Sequence, residues 1–157
     1  MTKNTILLLA ILLILSCNKL NPVEEKPSLP KKQIPMQTQC SIDTINNIFI
    51  KQKKQPIVIP LETNVVVSGW AVDVLSKDAA GGVIIDIDGK LYAAYYGGER
   101  QDVADAYKNP AYRYSSFASS IPALTIGRGK HTLSLKVLTN DKNAYYSPEQ
   151  KVAFEIK

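Results

Sequence analysis

An all-β fold, an antiparallel β-sandwich with one short helical turn, is predicted by three observations. Short runs alternate apolar and polar residues with a period of two. Glycine and proline turns separate those runs, and only one stretch has helical character. In chain order, Pro56 to Pro60 is an apolar triplet bracketed by prolines, which suits an edge strand because proline cannot donate to a ladder. Asn64 to Val74 is the longest strand; period two puts Trp70, Val72 and Val74 on one face and Ala71 and Asp73 on the other. Trp70 is expected to plug the core between the sheets. Val83 to Ile87 follows. Asp88-Gly89 then makes a tight hairpin turn, since both central residues tolerate positive φ. Lys90 to Tyr95 returns as the partner strand.

Gln101 to Asn109 is the helical piece. Asp102 is expected to cap its amino end, and Pro110 to stop it. Two late strands close the pattern. His131 to Leu138 points Leu133, Leu135 and Val137 inward, and Lys151 to Ile156 does the same with Val152, Phe154 and Ile156.

The beginning of the chain is organised differently. Lys3 precedes an unbroken apolar run, Ile6 to Leu15, too short to span a bilayer, which takes about 20 residues. Ile14-Leu15-Ser16-Cys17 then resembles the lipobox of bacterial lipoproteins. The resemblance implies that residues 1–16 are a signal peptide and that Cys17 is lipidated. The partner it implies is the lipid bilayer, held through acylated Cys17, in the bacterial cell envelope. Asn18 in place of aspartate leans toward the outer membrane. Residues 17–40, with Pro22, Pro27, Pro30 and Pro35, read as an extended tether, and residues 41–157 as the sandwich.

The 157 residues carry a net charge of +5, and much of the excess sits before the main domain, at Lys26, Lys31, Lys32, Lys51, Lys53 and Lys54. Such lysines can touch anionic headgroups; a solvated linker is the plainer reading. No nucleic-acid motif is present. With Cys17 acylated, Cys40 has no partner in the chain and is either buried and inert, the favoured reading, or available for an intermolecular bond. One histidine and two cysteines cannot furnish a zinc site, and no nucleophile-elbow pattern occurs, so no catalytic residue, metal or cofactor is expected. Asp86 and Asp88 point one way on a strand, but a polar strand end explains them better than calcium.

Gly69-Trp70-Ala71-Val72-Asp73, Arg100-Gln101-Asp102-Val103-Ala104, Phe117 and Gly129-Lys130-His131-Thr132-Leu133 follow one another in an order that resembles an immunoglobulin-like accessory domain of bacterial envelope proteins. Gln101 and Ser116 depart from that pattern, which has proline and glycine there. The resemblance covers Ser41 to Lys157. It implies an immunoglobulin-like sandwich, with Trp70, Asp73, Arg100, Asp102, Phe117 and His131 as its motif residues, and it brings no established activity with it. Arg100 is expected to pin the helical turn through carboxylates, Asp102 and Asp73 among the candidates.

All eight tyrosines lie between Tyr92 and Tyr146. Tyr112, Tyr114, Tyr145 and Tyr146 are the candidates for a ligand-binding surface, for a glycan or an envelope protein. The expected function is a non-enzymatic binding or scaffolding module. The alternative is a hydrolase inhibitor acting through protruding loops at Gly97 to Arg100 or Asp141 to Tyr145.

Overall fold

The computed structural model describes residues 26–52 and 56–157. Residues 1–25, and with them the signal peptide and Cys17, lie outside the described residues. The strands in chain order are β1 (Lys32–Ile34), β2 (Cys40–Ile45), β3 (Ile48–Phe49), β4 (Ile57–Ile59), β5 (Asn64–Asp73), β6 (Asp78–Ala79) and β7 (Gly82–Ile87). There follow β8 (Lys90–Ala93), β9 (Tyr95–Gly98), β10 (Ser116–Pro122), β11 (Gly129–Leu138), β12 (Ala144–Tyr146) and β13 (Val152–Ile156). Two short helices, α1 (Gln101–Ala106) and α2 (Ala123–Ile126), interrupt them, where one helical turn is expected from sequence.

The strands form an all-β sandwich of two sheets. In the first, β11 is central: β7 and then β8 lie on one side, β12 and β13 on the other. β12 and β13 are one interrupted strand, pairing with Val137–Leu138 and Gly129–Leu133 of β11. The second sheet runs β3-β2-β5-β10-β9, with β6 also on β5. Ladders are antiparallel except at the first sheet's outer edge. There β1 pairs with β12, and β4 with β13, in parallel.

Local chemistry explains the turns. Asp88 (φ 51°) and Gly89 (φ 87°) both take positive φ, so the β7–β8 hairpin has the expected geometry. Asn46 and Asn47 (φ 47° and 63°) do the same between β2 and β3, where asparagine tolerates the left-handed region. The run after Gly89 is not one strand. It breaks at Ala94, so β8 belongs to the first sheet and β9 to the second.

Three expectations about organisation are corrected. The proline-rich stretch is not tether throughout. β1 lies within it, Val72 N–H bonds the Gln39 carbonyl at 3.0 Å, and the buried Thr38 hydroxyl bonds the Val72 carbonyl. Those bonds fasten residues 32–39 to both sheets. The helix ends at Ala106 rather than Asn109, and Pro110 opens a 3₁₀ turn, Pro110–Tyr114, instead of only stopping the helix. Proline suits that first position because its fixed φ is already helical. Asp102 is not the cap: Arg100 holds the cap position, with no side-chain cap bond.

The core lies between the sheets. Leu133, Leu135 and Val137 of β11 and Val152, Phe154 and Ile156 of β13 point into it as expected. β4 presents Ile57 and Ile59 inward and Val58 outward from the sheet edge. On β5 the alternation is right but the faces are exchanged. Ala71 joins the inter-sheet core, whereas Trp70 and Val72 join a second, smaller cluster with Val103 of α1 and Tyr112 of the 3₁₀ turn. Trp70 is therefore half-buried under a cap of helix, not a plug between sheets. What fills the inner position beside it is Phe117, fully buried, over Gly69. A Cβ on Gly69 would stand 2.0 Å from the Ser41 carbonyl oxygen and 2.8 Å from Phe117 Cζ, so only glycine fits.

Candidate functional site

The outer face of the second sheet carries three of the six motif residues, Trp70, Arg100 and Asp102. There α1 and the 3₁₀ turn fold over β5. Val103 and Tyr112 turn inward, and Tyr107, just past α1, lays its ring beside Trp70 at 5.6 Å and beside Tyr112 at 5.9 Å. Tyr107 remains 41% exposed. Two aromatic rings, one half-buried and one open, thus meet at an angle of 57° on an accessible face.

Arg100 holds this cap to the sheet. Its Nε and Nη2 donate to the two oxygens of Asp102, each at 2.8 Å, and Nη1 donates to Asp43 Oδ2 of β2 at 2.8 Å. The Arg100 backbone N–H also bonds the Arg113 carbonyl at 2.6 Å. The Asp102 bonds, chiefly, and the nearby charge of Asp43 raise the guanidinium's pKa against the effect of burial. Arg100 in turn holds the Asp102 carboxyl below its usual range. Asp73 takes no part in this network, contrary to expectation.

Asp73 sits instead at the inner side of β5, buried. It accepts from the Tyr146 hydroxyl, from Leu75 N at 3.0 Å and from Asn140 N at 2.9 Å. Burial by itself would raise its pKa; the bonds from Asn140, Tyr146 and their neighbours outweigh it and lower the value. Burial and the bond to Asp73 push the Tyr146 hydroxyl well above the ordinary tyrosine value. Tyr96 makes a similar cross-tie: its hydroxyl donates to the Ala71 carbonyl at 2.7 Å and accepts from Ala80 N at 2.8 Å, and burial pushes it up to about 12.

The four tyrosines singled out from sequence do not form one surface. Tyr146 is fully buried on Asp73, and Tyr112 is 7% exposed in the outer cluster, so neither can be a ligand contact. Tyr114 is exposed beneath the Arg113 guanidinium, which Glu99 also binds. Tyr145 is half-buried and bonds Gln33 of β1 at 3.1 Å. Sequence reasoning passed over Tyr107 and Asp43. Tyr107 lies four residues after Val103, the spacing that brings side chains to one helix face, and that signal was present. Asp43 carried no signal, because its pairing with Arg100 is long-range.

His131 works at a turn. Its Nδ1 lies 2.7 Å from Asp88 Oδ2 and its Nε2 3.0 Å from the Gly127 carbonyl. Both partners accept, so both bonds form together only when the ring carries two protons. Asp88 also accepts from Thr132 N, and with His131 leading, these bonds lower its pKa. Asp86 lies with Lys136 Nζ at 3.4 Å in a polar cleft of about 460 Å³, opened where the β12–β13 strand is interrupted. Its carboxylate bonds Gly89 N at 2.8 Å, a strand-end role. No cluster of three or more metal-ligating side chains occurs among the described residues.

Cys40 is free and half-buried, and burial raises its thiol to about 11. At that value it stays protonated and unreactive. Both segments named as candidate loops are internally bonded: Gly97 and Gly98 belong to β9, Arg100 is pinned, and Asp141 binds Thr139 and Asn143, with residues 141–143 exposed.

No family model and no curated protein matches this chain. Among solved structures it is similar to the endo-β-1,4-mannanase from Thermotoga petrophila, with 11% identity and a TM-score of 0.45 over 80% of this chain and 21% of that one. The chain spans about a fifth of that protein's length, and at this level the likeness carries no argument about chemistry.

Proposed function

We propose that the chain is a membrane-anchored envelope lipoprotein, acylated at Cys17, whose sandwich is a non-enzymatic binding or scaffolding module for a glycan or protein ligand. The observation that carries the binding reading is the Trp70–Tyr107 pair, held open on the outer face by the Arg100 clamp. Aromatic faces that stay accessible while their surroundings are rigid make good platforms for sugars and protein side chains. The carboxylates and the histidine that chemistry would need are committed elsewhere: Asp73 to Tyr146, Asp88 to His131, Asp43 and Asp102 to Arg100.

Affinity electrophoresis against a panel of soluble envelope polysaccharides tests the glycan form. The native chain is expected to be retarded by at least one polymer, and Tyr107→Ala to run freely with its melting temperature little changed. Retardation that survives Tyr107→Ala removes this face from the reading. Fatty-acid labelling tests the anchor: label on the native chain and none on Cys17→Ala is expected, and equal label on both refutes it.

A further inference from the structure

Resting on the reading that Cys17 is acylated, we propose that one end of the sandwich is a bilayer-facing surface that engages anionic lipid. Four features define that end. The β2–β3 hairpin tip is joined to the start of β5 by Asn46 Nδ2, which donates to the Asn64 carbonyl at 2.9 Å. Asn64 pairs with Pro122, at the end of β10. Ala123 N–H, opening α2, bonds the Thr63 carbonyl at 2.9 Å. Lys90 Nζ reaches the Thr125 carbonyl of α2 at 2.8 Å.

This rim exposes apolar side chains that nothing in the fold requires outside. Phe49 is 59% exposed and Leu124 69%, with Ile48 beside Phe49. They stand on opposite sides of the rim, separated by β2, β5 and β10, so the fold holds them as distinct protrusions. Cations share this end. Lys51 lies two residues after Phe49, in the 3₁₀ turn Ile50–Gln52, Lys90 sits by α2, and Arg128 and Lys130 flank the start of β11. The acidic groups at this end are Glu62, Asp86, Asp88 and Glu155; Asp86 bonds Gly89 N and lies 3.4 Å from Lys136 Nζ. Asp88 is engaged by His131, and Glu155 lies 3.7 Å from Lys157 Nζ. Apolar protrusions beside cations suit a negatively charged interface better than a protein groove: the apolar side chains enter the headgroup layer while the lysines pair with phosphates.

The route of the chain agrees. Lys26 and Pro27, the first described residues, line a groove of about 520 Å³ with Lys90, Pro122 and Thr125. Eight residues separate Cys17 from Lys26 in the sequence. Even fully stretched they reach only about 30 Å. A lipid at Cys17 therefore keeps this end within reach of the membrane.

The test uses the mature chain, residues 17–157, carrying Cys17→Ser, so that no acyl chain contributes. Co-sedimentation is measured with vesicles of phosphatidylglycerol and phosphatidylcholine in equal parts, and with phosphatidylcholine alone. Binding to the anionic vesicles is expected to exceed binding to the neutral ones by at least about ten-fold and to weaken in high salt. Lys51→Glu with Lys90→Glu, and separately Phe49→Ser, should each reduce it about five-fold or more at an unchanged melting temperature. No preference for anionic vesicles, or undiminished binding by both variants, overturns the proposal. Fatty-acid labelling of the native chain judges the anchor separately. A chain that takes label but ignores vesicles keeps its anchor and loses this surface; one that binds vesicles unlabelled does the reverse.

Discussion

The two apolar clusters served by β5 differ in how they tolerate water. On its inner side, Gly69 and Ala71 meet Phe117, Tyr146 and the opposite sheet, every one of them closed to solvent. On its outer side, Trp70 and Val72 meet only a six-residue helix and a 3₁₀ turn, and the aromatic edge remains open. One strand thus supplies a dry core that specifies the fold and a thin second layer that can afford a binding face. Burial and close packing, not the chemical type of the residue, decide which is which.

The difference should appear most strongly at Gly69. Gly69→Ala drives a methyl into the Ser41 carbonyl and the Phe117 ring. Overpacking of this kind costs about 1–3 kcal/mol and more where backbone must move, so the variant is expected to unfold in the mildest denaturant or fail to fold. A cooperative melt near the native temperature would show that the inner side yields as the outer one does.

Next come the aromatic deletions, which set the two clusters side by side. Phe117→Ala should cost about 3–5 kcal/mol. Trp70→Ala, at a half-buried site, should cost about half as much. Urea melts of both decide it; equal losses would make the outer cluster a full core.

Tyr146→Phe probes the polar link inside the dry core. It removes one donor from a buried carboxylate and should cost about 1–3 kcal/mol at neutral pH. The sign follows from the lowered pKa of Asp73. Below-normal affinity for the proton in the fold means that its contribution is complete above the ordinary value of 3.8 and is lost as pH falls through the lower folded value. Tyr146→Phe should flatten the acid limb of a stability–pH curve. An unaltered acid limb would assign that limb to other carboxylates.

The smallest effect is expected at the rim of the outer layer. Arg100→Lys keeps the charge but loses the fork that reaches Asp102 and Asp43 together. With Asp102 largely exposed, the loss should be about 1 kcal/mol or less. Thermal melts would show a small drop, and polysaccharide retardation should persist in the cold. Lost binding at unchanged stability would make Arg100 a recognition residue.

The sandwich was legible because β7, β11 and β13 alternate cleanly and Asp88-Gly89 specifies its own turn. β5 was legible as a strand but not in its facing, since Trp70 and Val72 are as apolar as Ala71 and period two is silent about which side is inside. Tyr112 and Tyr146 look like Tyr114 in sequence; only tertiary packing separates them. β1 was missed because three residues among prolines carry no periodicity and their partner lies at the far end of the chain. The aromatic site emerged only when α1 folded back onto β5.

The pairings of β1 and β4 also bear on how the molecule comes together. Gln33 meets Tyr145 across 112 positions of sequence, and Ile57 of β4 lies beside Phe154. The loop entropy of joining such distant segments must be overcome before either contact gives anything back, which places folding in the millisecond-to-second class of β proteins. β1 and β4 therefore stay unlocked until β12 and β13 are available to pair with them.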